Sequence, residues 1–187
     1  MAKVELKSPP LIWRLIAQDD PDIYLETVNQ SEKGILSKIF GKRVAEPSHQ
    51  VPDLELIEGE GMEDDLDKSW QGIHYCLNQT DYEAEPPMDF MTVGGKAAGD
   101  IDVGYGPARL FDSKTVKELE ETLSSVSADT LRSHYDPVKM EALDIYPKIW
   151  TRDGDEAFAY IADYYETLKS FLSHCSKHDL GMAVYLR

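Results

Sequence analysis

The chain has 187 residues, 19 basic and 35 acidic, for a formal net charge of -16. That excess of acids excludes general binding to nucleic acid or to anionic membranes, because wrapping a polyanion needs Lys and Arg to displace its counterions. Hydrophobic residues at 42% make the composition globular, and one domain of this length buries roughly 70% of its unfolded surface without needing a disulfide staple.

The opening KVELK alternates as a short strand, and Ser8 followed by Pro9 and Pro10 supplies a helix start, a capping hydroxyl before a ring that fixes φ. Leu11, Ile12, Leu15 and Ile16 would form that helix's buried stripe. Asp20-Pro21 breaks it, and a weaker helical pattern runs through Ile23, Tyr24 and Val28 into Ile35, Leu36, Ile39 and Phe40. Residues 41–61 hold two prolines and three glycines without periodicity and read as a flexible acidic connection. The N-terminus has no apolar run of signal length before a small-residue cleavage site, and no stretch approaches ~18 consecutive apolar residues. A soluble cytoplasmic protein is therefore expected.

From Glu63 to Asn78, Leu66, Trp70, Ile73 and Leu77 recur at spacings of four, three and four, which predicts an amphipathic helix facing the core. Its start, Glu63, Asp64 and Asp65, would place negative charge at the positive end of the helix dipole. Residues 81–109 are rich in Gly and Pro and predict loops with one short strand near Tyr105 to Phe111, lying at a sheet edge or bulge because Pro107 has no amide proton to donate. Asp112 caps a helix carrying Val116, Leu119, Leu123 and Val126. Two shorter helices follow, one with Leu131 and Tyr135 and one that opens on Asp136-Pro137 and ends before Tyr146-Pro147. After Asp153, Phe158, Ile161, Tyr165, Leu168, Leu172 and Cys175 mark the longest helix, with Gly181 as its left-handed terminator and MAVYLR as a closing strand. The class is α+β, a helix-rich single domain over 1–187 with a small sheet that includes the N- and C-terminal strands. Cys76 and Cys175 fall on predicted helices and read as small buried side chains, which favours a reducing compartment.

Three segments in order, LDKSWQGIHYCLNQTD at 66–81, VGYGPARLFDSKTVKEL at 103–119 and IYPKIW at 145–150, resemble the bacterial YfbM-like proteins, a domain-of-unknown-function family. The resemblance covers most of the chain from Leu66 to Arg187 and implies a compact single domain of mixed α and β structure. It carries over no activity, cofactor or catalytic residue, so function has to be read from the residues.

Asp67, Gln71, His74 and Asn78 line one polar edge of the predicted 63–78 helix. A carboxylate orienting an imidazole would make a general base, but Asp67 and His74 stand two turns, about 10 Å, apart and cannot pair directly. The plainer reading is a half-buried His74 that hydrogen-bonds a loop. In GYGPAR, 104–109, two glycines permit a bend, Gly106 before proline is pushed to an extended form, and Arg109 could hold an anion. The spaced Gly, Lys and hydroxyl of a phosphate loop are missing, so a bent edge strand with Arg109 paired to an acid is the simpler account. Tyr146, Pro147 and Trp150 form a rigid aromatic elbow that lines a pocket or plugs a core. His174 and His178 are spaced as an i, i+4 chelate without a third ligand, and two histidines also suit a helix C-terminus. No metal and no cofactor are expected.

Asp53, Glu55, Glu58, Glu60, Glu63, Asp64, Asp65 and Asp67 put eight acids in 15 residues with no base between them. This is either a solvated face or a docking surface for a basic protein. Two functions compete. The first is a non-enzymatic cytoplasmic protein that binds a basic partner through this face, as an acidic immunity or antitoxin protein would. The second is a small-molecule binder or hydrolytic enzyme, with Trp70, His74, Tyr105 and Arg109 converging between the 63–78 helix and the GYGPAR strand, near Tyr146 and Trp150. The absence of a complete catalytic constellation favours the first.

Overall fold

The computed structural model of the chain describes residues 13–18, 63–100 and 104–186. The KVELK strand, the Ser8-Pro9-Pro10 start with Leu11 and Ile12, the pattern from Ile23 to Phe40, the 41–61 connection and the acids Asp53, Glu55, Glu58 and Glu60 lie outside these residues. The architecture is helix-rich α+β. Among the described residues, strands β1 (Trp13–Gln18), β2 (Glu63–Asp65), β3 (Lys96–Ala97), β4 (Arg109–Phe111) and β5 (Gly181–Leu186) form one antiparallel sheet in the order β2-β1-β5-β4-β3. The helices are α1 (Trp70–Asn78), α2 (Ser113–Ser124), α3 (Ala128–His134), α4 (Pro137–Ala142), α5 (Trp150–Asp153) and α6 (Asp155–Lys177), with a 3-10 turn at Met88–Met91.

Among the described residues, the sheet joins a strand near the start of the chain, β1, to one near its end, β5. Leu15 and Ile16, read as helical, belong to β1, whose six residues pair in register with β5 from Trp13 opposite Leu186 to Gln18 opposite Gly181. A short apolar run fits both periods, and the long-range ladder decides between them. Glu63, Asp64 and Asp65 likewise do not begin a helix. They pair with Ile16, Leu15 and Arg14 as the edge strand β2, and acids suit an edge because they repel further strands. The helix is delayed to Trp70: Asp67 takes φ 43°, and the Lys68 amide donates to Tyr160 Oη at 3.0 Å instead of entering a helical turn.

Local capping follows the sequence closely. The Asp112 carboxylate accepts from the Thr115 amide at 2.7 Å, and its own acidity rises chiefly through that bond. Ser127 and Asp136 cap α3 and α4 in the same way, from the amides of Thr130 at 3.1 Å and Lys139 at 3.0 Å. The end of α6 differs from expectation. Asp179, at φ 59°, supplies the left-handed residue, and the Leu180 amide donates back to the Cys175 carbonyl at 2.9 Å. Gly181 is thereby free to open β5. The strand β4 is also not an edge, since β3 lies outside it, and Pro107 sits just before its first paired residue, where no ladder bond is lost.

The core lies between the sheet and the helices. On α6, Ile161, Tyr165, Leu168, Phe171, Leu172 and Cys175 are buried against α2 and α1, and the Tyr165 hydroxyl donates to the Leu123 carbonyl at 2.9 Å, tying α6 to the last turn of α2. Met182, Ala183 and Val184 of β5 are all buried, so this central strand is covered on both faces. Cys76 and Cys175 are buried free thiols, each pushed up to about 12 by desolvation and so inert as nucleophiles at neutral pH.

Helix α1 reaches Trp150 only because residue 72 is glycine. A β-carbon there would stand 2.5 Å from the indole Cη2 and 3.0 Å from Ile161 Cδ1. Overfilling a core by one methyl costs about 1–3 kcal/mol. Gly72→Ala should therefore lower the melting temperature by roughly 2–10 °C, measured by circular dichroism; an unchanged value would mean that Trp150 can move aside.

Candidate functional site

Helix α1 is the spine of the candidate site, and its polar side chains go to separate partners. Asp67, just before the helix, accepts from the Tyr160 hydroxyl at 2.7 Å and so ties α6. Gln71 bridges two loops: its Oε1 accepts from the Tyr146 amide at 2.9 Å and its Nε2 donates to the Asp81 carbonyl at 3.0 Å. Asn78 holds His74. Its amide nitrogen lies 3.3 Å from His74 Nδ1 and 3.2 Å from the His74 carbonyl, which assigns Nδ1 as the acceptor and leaves the proton on Nε2.

His74 is fully buried. Burial drives its pKa from 6.5 down to about 4, against the opposing effects of the Asp81 charge and the Glu83 backbone. Its Nε2 makes no hydrogen bond of ordinary geometry, with Glu83 as the neighbouring backbone group. A neutral, enclosed imidazole of this kind is a weak base with no open path to substrate. Trp70 is also buried, with its indole nitrogen unpartnered, and Trp150 is buried with its indole donating to the Ile145 carbonyl at 2.7 Å. The aromatic elbow thus packs onto α1 through Trp150 and Gly72, while Tyr146 stays half-buried on Gln71.

GYGPAR contributes differently. Gly106 takes φ 99°, a positive-φ turn and not the extended form expected before proline; no atom lies within 4 Å of a β-carbon built there, so backbone conformation alone calls for glycine. The Tyr105 amide donates to the Leu186 carbonyl at 3.1 Å, and its ring stays exposed. Arg109 Nη1 donates to the Gly94 carbonyl at 2.7 Å. Desolvation lowers the guanidinium's pKa, with Tyr82 and Asp89 opposing. The first and third of the three family-like segments therefore meet directly, through Gln71 with Tyr146 and Gly72 with Trp150, whereas the second braces the loop at Gly94. Among the described residues, no group of three or more His, Cys, Asp or Glu side chains could hold a metal ion, and none of the helices is long and apolar enough to cross a membrane.

The loop after α1 builds what the sequence reading did not single out. A cleft of about 770 Å³ is lined by Leu77 and Asn78 of α1 together with Tyr82, Glu83, Ala84, Glu85, Met88 and Val93. A smaller cleft of about 400 Å³, between Lys96, Phe111 and Asp112, shares Pro86 with it. The signal was present in DYEAEP, residues 81–86, where Tyr82, Ala84 and Pro86 alternate with the acids Asp81, Glu83 and Glu85. Such alternation places the apolar side chains on one side of an extended segment. His74 stands one layer behind this cleft, linked to it by Asn78 and Glu83.

A family model described as "Domain of unknown function (DUF1877)" matches residues 17–185. A solved structure described as a protein of unknown function, YfbM from Escherichia coli, is similar over 94% of this chain and 99% of that one, with a TM-score of 0.63 and 16% identity, a likeness of fold. No curated protein matches the chain.

The buried imidazole gives the site a pH signature. An unfolded His74 takes up its proton near pH 6.5 and the folded one only near 4, so between these values the unfolded chain binds more protons. Stability is fully present above pH 6.5 and is lost as pH falls toward 4, by on the order of 2 kcal/mol. Urea unfolding at pH 7 and pH 4.5 should show a loss of that size in excess of the loss shown by His74→Gln. Equal losses in the two proteins would place no titrating imidazole in the core.

Proposed function

The chain belongs to the DUF1877 family, and from that premise we propose that it acts as a non-enzymatic, cytoplasmic, single-domain binding protein. Its partner is a basic protein, bound in the manner of an acidic immunity or antitoxin protein, and neither nucleic acid nor membrane is a target. The observation that carries this reading is the placement of Glu63, Asp64 and Asp65 on the edge strand β2, where Glu63 is exposed. These three acids belong to a run of eight within a chain of net charge -16. A concentrated single-sign patch steers a partner of opposite charge and speeds encounter.

Burial supports the same reading from the other side. Trp70, His74 and Trp150 serve packing, which leaves the pocket-enzyme alternative without an exposed base between α1 and the GYGPAR segment. The test is affinity capture at low and high salt with the wild type and with Glu63→Gln, Asp64→Asn, Asp65→Asn combined. A basic protein should be retained at low salt, released at high salt and weakened about tenfold by the neutralised strand, the size expected when a charged patch is lost. Recovery of no partner above background, or retention indifferent to the three substitutions, would end the proposal.

A further inference from the structure

We propose that the cleft beside α1 is a docking groove for a short segment of a basic protein, one that carries an apolar or aromatic side chain between Lys or Arg residues. The inference rests on the reading of the chain as an acidic partner-binding protein and adds to the acids of β2 a second contact surface, which a short peptide fills without touching β2. Tyr82 and Val93 are large apolar side chains left exposed, at 47% and 60%, and both line this cleft. Leu77 and Met88 are half-buried beneath them against the core. An apolar floor with exposed aromatic and aliphatic flanks is the surface on which an anchoring side chain gains most from leaving water.

Charge selects the occupant. Among the described residues, the lining includes the exposed acids Glu83 and Glu85 and neither Lys nor Arg. An apolar anchor flanked by bases satisfies both the floor and these carboxylates, whereas an acidic segment would meet like charge. The walls are already fixed. Gln71 holds the Asp81 carbonyl at 3.0 Å, Asn78 reaches the Met88 carbonyl at 3.5 Å, and the Asp89 carbonyl accepts from the amides of Val93 at 3.1 Å and Gly94 at 2.9 Å. Arg109, by donating to the Gly94 carbonyl at 2.7 Å, braces the segment that carries Val93. A groove held in this way loses little freedom when it is filled.

The experiment is a selection of random dodecapeptides displayed on phage against the immobilised full chain, followed by fluorescence anisotropy of the enriched peptides. Enriched peptides should carry Lys or Arg around an apolar or aromatic residue. Their affinity should fall about tenfold or more in Tyr82→Ser with Val93→Ser, the loss expected of a central anchor contact. It should fall several-fold in Glu83→Gln with Glu85→Gln, and stay within about twofold when Glu63, Asp64 and Asp65 are neutralised, since charges outside a contact contribute little. These side chains are exposed, and an unchanged melting curve confirms each fold; should the Tyr82 and Val93 variant melt early, the Glu83 and Glu85 variant decides. Basic peptides that bind the groove variants as tightly as the wild type would overturn the groove and leave the basic-partner reading standing. Enrichment of acidic or neutral peptides, or of none, would overturn both.

Discussion

The indole of Trp150 occupies the place where a side chain on residue 72 would begin, and this exclusion sets the position of everything around the cleft. Because α1 carries no β-carbon there, its backbone comes down onto Trp150 and Ile161. Gln71, beside that glycine, can then bond the Tyr146 amide on one side and the Asp81 carbonyl on the other. A glycine inside a helix costs up to about 1 kcal/mol relative to alanine. The cost is offset where, as here, it admits a fully buried tryptophan.

Charge is arranged so that the interior stays neutral. Burial keeps the His74 imidazole unprotonated and the Cys76 and Cys175 thiols protonated at neutral pH, while ion pairs such as Lys117 with Asp179 and Arg132 with Asp155 join exposed side chains on the helical side. Exposed pairs of this type are screened by water and salt and contribute little to stability. The exposed acids Glu63 of β2 and Glu83 and Glu85 of the loop after α1 lie instead outside the helices.

Elements whose determinants are local were legible in the sequence. The caps Asp112, Ser127 and Asp136 act within three residues, and the apolar spacing of α6 is set by its own turns, so α2, α3, α4 and α6 could be placed from the sequence. Leu15 and Ile16 could not, because a strand is chosen by its partner, and the partner of β1 lies at the other end of the chain. The acids 63–65 were misread for the same reason: charge at a helix start and charge on a sheet edge look alike until β1 is in place. Of the candidate side chains, Trp150 is buried, one of the two readings the aromatic elbow left open, but the burial of His74 depends on the loop that closes over it, and the bond from Arg109 to Gly94 depends on where β3 and β4 meet.

The pairing of β1 with β5 also bears on how the chain is made. Trp13 lies opposite Leu186, so on the ribosome β1, the earliest of the described strands, must wait for nearly the whole of the remaining chain before its ladder with β5 can close. Until then β1 and β4 both lack the strand that stands between them in the finished sheet, while the helices and the β3-β4 pair can settle through contacts nearer in the chain. A topology with so distant a closure folds late and slowly compared with one built from adjacent pairs. While that ladder waits, like charge on the acids of β2 opposes the addition of a strand from a neighbouring nascent chain at the β2 side of the sheet.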